Sequence, residues 1–213
     1  MTPFRFSSRF NLTELTGLKA SNLDQLLKLL QEVPGSCIYH HTHRFLQQHQ
    51  YLSPEPPNDF AYWITQIIGE KELGERLASI DVIGFNHIRE LRNSLIDGIL
   101  GYCAEYPRAK ERFANPGEEF HFMKSVSFVC GTGYEANNLA EFREILGKIT
   151  FDSLYFHVFE ARLRLEKGTN DFSAWFESLG ETELASEFSR LDPYTFTMEQ
   201  LRGTMLKILD RAG

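Results

Sequence analysis

The fold is decided by two stretches of sequence: GLKASNLDQLLKLLQEVPGSCIYHHTHRF at Gly17–Phe45 and GYEANNLAEFREILGKITFDSLYFHVFEA at Gly133–Ala161. They align without a gap at a constant shift of 116 residues, and seven of the 29 aligned positions are identical. Random matching at average composition would give about two identities. The alignment therefore predicts an internal duplication, which has to be recognised before any motif is interpreted.

The alignment continues on both sides of these stretches. Upstream, Phe4–Phe6 matches Phe120–Phe122 at the same shift. Downstream, Asn58–Phe60 matches Asn170–Phe172 after a loop that is four residues shorter in the second copy. Two copies are too few for a solenoid, so we expect a globule in which each half covers the apolar face of the other.

Each copy is predicted to be one extended segment followed by four or five helices. The extended segments are Phe4–Leu12 and Phe120–Val129, and we expect them to pair under the helices because two uncovered strands are marginally stable. The predicted fold is mainly α with a minor β component, built from two helical halves related by a pseudo-twofold axis, each preceded by its extended segment. The first repeat spans residues 1–112 and the second 118–213, packed as one compact unit.

Polar residues mark the predicted helix starts. Ser21 is expected to cap the first helix, whose apolar stripe begins at Leu23. Asp59 and Asp171 are expected to cap two matched later helices, because a carboxylate accepts backbone N–H bonds and favours the positive end of the helix dipole.

The composition narrows the function classes. The chain has 213 residues, with 22 basic against 29 acidic side chains and a net charge of −7, which argues against a nucleic-acid partner. The sequence contains neither an opening signal peptide nor a membrane-length apolar run. Cys37, Cys103 and Cys130 lack metal-type spacing, so we expect reduced thiols in a cytoplasmic protein.

Three motifs carry a resemblance to a known family. They are Ser36–His41, Asn58–Trp63 and Tyr155–Arg162. With them the chain resembles a bacterial and archaeal family of internally duplicated helical proteins of unknown function. The resemblance implies no cofactor or catalytic residue, but some relatives are encoded near glycosyltransferases, which implies an accessory role in carbohydrate metabolism.

The histidines are the first candidate site. His41 and His157 occupy matched positions in both copies. We expect each imidazole to be half-buried, bonded to a backbone carbonyl and to the carboxylate turn at Asp59 or Asp171. The alternative is a pair of histidines that line a ligand pocket.

A metal site is a weaker alternative. His40 and His43 lie one helical turn apart and would be its ligands. Their matched residues are Phe156 and Phe159, which indicates an apolar environment, so the sequence predicts no metal.

Aromatic and basic residues complete the ligand-binding candidates. Tyr39 and Tyr155 are able to stack on a sugar ring, although core packing is the more common role. Arg92 and Arg202 lie beside apolar helix stripes, where each is expected to pair with a duplicated aspartate or to bind a small anion.

The sequence leaves three functions open, and one of them is a structural interaction protein that oligomerises through exposed apolar surface. The preferred one is a non-catalytic binding or regulatory module with a protein partner or a small anionic ligand. The alternative is an enzyme that acts on a small anionic substrate similar to a sugar phosphate. Its His, Asp and Arg residues would lie between the repeats, and a metal ion would be an optional aid to the reaction. The oligomeric state and the cofactor are undetermined.

Overall fold

The computed structural model describes residues 2–44, 58–161, 163, 169–191 and 196–212. By contacts the chain divides into two compact units: residues 11–126 form one, and residues 1–10 with 127–213 form the other. We call them the central unit and the terminal unit. The sequence repeats proposed for residues 1–112 and 118–213 remain a prediction.

Two strands of 17 residues are the longest extended elements, β1 (Phe4–Ala20) and β2 (Phe120–Ala136). They form a two-stranded sheet in the described part of the chain. The pairing is antiparallel, because Thr16 Oγ1 donates to the Phe122 carbonyl while Thr132 Oγ1 donates to the Phe6 carbonyl. Each strand therefore begins in one unit and ends in the other.

The predicted fold class is wrong in its treatment of the strands. The strands are not short segments that precede two helical halves related by a pseudo-twofold axis. They form one continuous two-stranded ladder, and each strand contributes residues to both units. The prediction stopped at Leu12 and Val129 because alternating burial is confined to the strand beginnings, where Phe6 and Phe122 are buried. Farther along, most residues are exposed, so the sequence carries no period-2 signal.

Helices make up most of the remaining described chain. The first five are α1 (Leu23–Glu32), α2 (Gly35–Tyr39), α3 (Asp59–Trp63), α4 (Lys71–Ala78) and α5 (Ile88–Glu105), and the next five are α6 (Leu139–Leu146), α7 (Phe151–Val158), α8 (Asp171–Leu179), α9 (Thr182–Ser189) and α10 (Met198–Ala212). π-Helical segments His40–Arg44 and Ile64–Ile68 continue α2 and α3, and a 3₁₀ turn covers Pro107–Glu111.

The apolar stripes of the long helices form the core. In α5 the residues Leu91, Leu95 and Ile99 are buried at helical spacing. The N-cap of α1 is Asn22 rather than Ser21, since the Asn22 side chain accepts the Gln25 N–H. No helix in the described ranges is long and apolar enough to cross a bilayer.

Candidate functional site

His41 bridges a helix start to a strand in the central unit. The ring is 2% exposed, and its Nδ1 lies 2.6 Å from Asp59 Oδ2. Its Nε2 accepts the backbone N–H of Met123 in β2 at 2.9 Å. We call His41, Asp59 and Met123 the central bridge.

His157 makes the same three-residue connection in the terminal unit. Its Nδ1 lies 2.6 Å from Asp171 Oδ2, and its Nε2 accepts the backbone N–H of Ser7 in β1 at 2.8 Å. We call His157, Asp171 and Ser7 the terminal bridge. The predicted contacts between each histidine and its aspartate turn are thus confirmed. The second partner was predicted wrongly, because it is a strand N–H rather than a carbonyl.

The hydrogen bonds of the two bridges determine which ring nitrogen of each histidine carries the proton. A nitrogen that accepts a backbone N–H must present its lone pair, so Nε2 is unprotonated in His41 and in His157. The proton then resides on Nδ1 and is donated to the carboxylate, which makes a charge-assisted hydrogen bond. Both nitrogens of each ring are therefore engaged within the protein, which leaves no lone pair for a metal ion or a substrate proton.

Asparagines position the two carboxylates. Asn58 is the N-cap of α3: its side-chain oxygen accepts the Ala61 N–H at 2.8 Å, and its amide donates to the Leu77 carbonyl. Asn170 caps α8 in the same way. The predicted capping role of Asp59 and Asp171 is wrong by one residue, since each follows the cap and is thereby free to bond a histidine.

Aromatic rings enclose each imidazole. The His41 ring centroid lies 4.6 Å from Phe120 and 5.4 Å from Phe60. The His157 ring lies 5.0 Å from Phe4 and stacks on Phe172 at 5.4 Å. These rings shield the imidazoles from water, and hydrogen bonds are electrostatically stronger in a low-dielectric environment.

The neighbours of the two bridges differ. In the central unit His40 Nδ1 lies 2.9 Å from Ser125 Oγ. Burial lowers the pKa of His40 to about 4, and the adjacent His41 acts in the same direction. Neutral His40 is therefore the form that this contact accommodates.

The matched position in the terminal unit holds an ion pair. Phe156 replaces His40, and the Arg9 guanidinium lies over its ring at 5.4 Å. Arg9 also contacts Glu160 Oε2 at 3.1 Å, and Glu160 is only 2% exposed. A buried carboxylate of this kind depends on its cationic partner.

The two arginine candidates bond to main-chain carbonyls. Arg92 donates to the Val33 carbonyl at 2.6 Å and Arg202 to the Ile149 carbonyl at 2.7 Å. Val33 is the C-cap of α1, where carbonyls lack helical partners. The duplicated aspartates expected as partners were the pairs Asp59/Asp171 and Asp81/Asp192. Asp59 and Asp171 contact the histidines, and Asp192 lies outside the described residues.

The tyrosine and metal candidates have packing roles. Tyr39 and Tyr155 are 8% and 1% exposed, so neither presents a ring face to solvent. His43 is fully buried, stacks on Tyr39 and lies 3.2 Å from Thr42 Oγ1 through Nδ1. Within the described ranges, no three His, Cys, Asp or Glu side chains come together as metal ligands.

Two features of the structure were not predicted from the sequence. One is a network in the central unit, where the Tyr102 hydroxyl donates to Glu70 Oε2 at 2.6 Å and Arg112 pairs with Glu70 Oε1 at 2.8 Å. The other is a set of large apolar side chains exposed on the strands. They are Phe10, Leu12, Leu15, Leu18, Phe128, Val129 and Tyr134.

The comparisons with known proteins identify the family. Residues 1–210 match the model of a family of unknown function, DUF5752, and the chain belongs to this family. A solved structure, OrfY from Thermoproteus tenax, is similar over 99% of this chain and 95% of that chain, with 31% identity and a TM-score of 0.83. No curated protein matches.

Proposed function

We propose that this member of the family is a non-catalytic protein-binding module, whose binding surface is the exposed apolar part of the strands in the terminal unit. The observation that carries the proposal is the exposure of Phe128 and Val129, at 51% and 54%, in the terminal unit. Two neighbouring large apolar side chains with half their surface in water gain free energy when a partner covers them.

The bridges support a non-catalytic role. Catalysis by histidine needs a ring nitrogen within reach of a substrate proton. His41 and His157 use both nitrogens to hold strands against helices. The aspartates and arginines of the alternative enzyme hypothesis are likewise engaged in the fold, since Arg92 and Arg202 bond to carbonyls.

The charges of the strands favour a protein over a polyanion. Arg5 pairs with Glu135 across the ladder at 2.9 Å in the terminal unit. Lys124 pairs with Glu14 and Lys19 with Glu119 in the central unit. Because these basic residues are neutralised within the chain, they offer little attraction to phosphate groups.

The proposal also covers the evolutionary origin of the chain and its role in the cell. An internal duplication accounts for the matched bridges, because His157 and Asp171 repeat the contacts of His41 and Asp59. A cytoplasmic accessory role in carbohydrate metabolism is part of the proposal through the family resemblance, and the partner would then be an enzyme of that metabolism or its regulator.

Photo-crosslinking in the producing cell tests the binding surface. A benzoyl-phenylalanine replaces Phe128, and the matched control carries it at Tyr62, which is 42% exposed on α3. We expect a discrete protein adduct from position 128 and none from position 62. The adduct should disappear when Val129→Lys is added, because a buried ammonium opposes an apolar contact.

Two results would contradict the proposal. One is equal adduct patterns from positions 128 and 62. The other is an adduct at position 128 that survives Val129→Lys, since the crosslink would then report collision rather than a specific surface.

A further inference from the structure

A groove with a volume of about 340 Å³ lies along α10 in the terminal unit. Its lining residues are Phe196, Gln200, Gly203, Thr204 and Lys207. The last four lie within α10 at positions i, i+3, i+4 and i+7, which places them on one face of the helix. Cavities that bind small molecules begin at about this volume, so the groove is large enough for a small ligand.

Gly203 keeps the middle of the groove open. A Cβ atom at this position would meet no side chain beyond its immediate neighbours within 4 Å, so packing inside the protein does not require a glycine here. A glycine within a helix is less stable than an alanine, because glycine loses more backbone entropy on folding. The helix therefore retains an open space at a cost in stability, which is what a binding groove requires.

The hydrogen bonds at the start of α10 orient the side chain of Gln200. Its Oε1 accepts the Thr197 N–H at 3.0 Å, and Thr197 Oγ1 accepts the Gln200 N–H at 3.2 Å, which is a capping box. Because the amide oxygen is engaged in this way, the part of the side chain that remains for a ligand is the Nε2 group with its two donors. Thr204 donates its hydroxyl to the Gln200 carbonyl at 2.9 Å.

Lys207 adds a positive charge to these donors. Within the described ranges its ammonium group makes no ion pair, because the nearest carboxylate along α10, that of Asp210, is held by Arg143. Glu187 is likewise held by Arg211. The helix carries three basic and two acidic side chains, although the whole chain has a net charge of −7. A cation beside amide donors attracts an anion.

The corresponding face of α5 differs in both features. A shift of 110 residues aligns α5 with α10. At this shift Asp97 corresponds to Lys207, and the exposed Asn93 corresponds to Gly203. The face of α5 therefore has an acidic residue where α10 has the cation, and a side chain where α10 has the open space. The features that the two helices share do not account for the groove.

We propose that the groove on α10 binds a small organic anion, a phosphate monoester or a carboxylate, whose apolar ring packs against Phe196. Phe196 is 36% exposed, so a ligand is able to cover part of its ring. Lys207 and the amide group of Gln200 bind the anionic group of the ligand. The groove uses none of the strand residues of the protein-binding surface, so this inference does not depend on the proposed function.

A titration of the ¹⁵N-labelled full chain with phenyl phosphate, followed by NMR at low salt, tests the groove. We expect saturable shifts of the amide signals of residues 196–207 and a dissociation constant in the millimolar range. Inorganic phosphate lacks the ring and benzyl alcohol lacks the charge, so each should bind about tenfold more weakly. Benzoate carries the same ring, and its affinity relative to phenyl phosphate shows which of the two anionic groups the site prefers.

Two variants separate the groove from general electrostatic attraction. Lys207→Gln should weaken phenyl phosphate binding about fivefold, because it removes the charge at a solvent-accessible site. Lys148→Gln is its control, since Lys148 is already paired with Glu144 in the same unit, and should leave the affinity unchanged. Gly203→Leu fills the groove with a better helix former and should abolish binding, whereas Asn93→Leu on α5 should not.

Three results would overturn the proposal. The first is the absence of a saturable shift with both phenyl phosphate and benzoate throughout the millimolar range. The second is unchanged binding in Gly203→Leu when circular dichroism shows that the variant is folded. The third is equal weakening by Lys207→Gln and Lys148→Gln, because the anion would then respond only to net charge. Each result leaves the crosslinking test of the strand surface unaffected.

Discussion

The central and terminal bridges have the same hydrogen bonds but different exposure. Asp59 in the central bridge has a side chain 34% exposed, whereas Asp171 in the terminal bridge is 12% exposed. The flanking residues differ too, with a His40–Ser125 contact in one unit and an Arg9–Glu160 ion pair in the other. The comparison teaches that the same connection from helix to strand forms beside neighbours of different chemistry.

Removing either histidine should cause the largest loss of unfolding free energy, and the loss should differ between the two bridges. His157→Ala leaves the Ser7 N–H and a nearly buried Asp171 carboxylate without their partner, and we expect it to reduce the free energy of unfolding by about 4 kcal/mol. His41→Ala should cost about 3 kcal/mol, because water reaches Asp59 more easily. Urea unfolding followed by circular dichroism measures both values. A larger loss for His41→Ala would contradict the role assigned to carboxylate exposure.

The ion pair beside the terminal bridge provides the second test. Arg9→Met removes the cation that contacts Glu160, and a buried carboxylate without that partner is costly. We expect a loss of about 2 kcal/mol, because Arg9 itself is partly exposed. Ser125→Ala, at the matched position of the central unit, should change the stability by less than about 1 kcal/mol. Equal losses for the two variants would show that the neighbours of the two bridges contribute alike.

Replacing the two arginines that bond to carbonyls should lower the free energy of unfolding by a smaller amount. Arg202 lies over the Phe151 ring at 4.2 Å in addition to its bond to Ile149. We therefore expect Arg202→Met to cost about 1.5 kcal/mol and Arg92→Met about 1 kcal/mol, from thermal and urea unfolding. If neither variant changed the unfolding free energy, the carbonyl bonds would contribute nothing net to stability.

The smallest expected effect is the contribution of His40, in the central unit, to the pH dependence of stability. The pKa of His40 falls from 6.5 to about 4 on folding, so between these values the unfolded chain binds more protons and stability decreases as pH falls. His40→Phe, which copies Phe156, removes this contribution.

The measurement compares unfolding free energies at pH 7 and pH 4.5. Between these pH values we expect His40→Phe to lose less unfolding free energy than the parent chain. The difference between the two losses should be about 1 kcal/mol or less, because His40 is partly screened by solvent. His121→Gln, at an exposed histidine, is the control and should follow the parent chain. An unchanged pH dependence in His40→Phe would contradict the assignment to His40.

Much of the local structure could be predicted from the sequence. The apolar spacing from Leu23 predicted the buried stripe of α1, and the matched sequence positions of His41 and His157 predicted their contacts with Asp59 and Asp171. These inferences succeeded because helical periodicity and the chemistry of a helix start are properties of short segments. The caps were misassigned by one residue because Asn and Asp are nearly equal as N-caps.

The strands and the second partner of each histidine needed the tertiary structure. Met123 and Ser7 contribute only a backbone N–H to the bridges, and every residue type except proline has one, so no side-chain pattern marks them. The length of β1 and β2 was also hidden, because strand pairing through backbone groups does not require an alternating buried face. By itself the sequence determined which side chains are buried in helices and which aspartate meets which histidine. Which strand each histidine holds, and which apolar residues remain in water, was decided only when the chain folded, because both depend on backbone contacts between residues far apart in sequence.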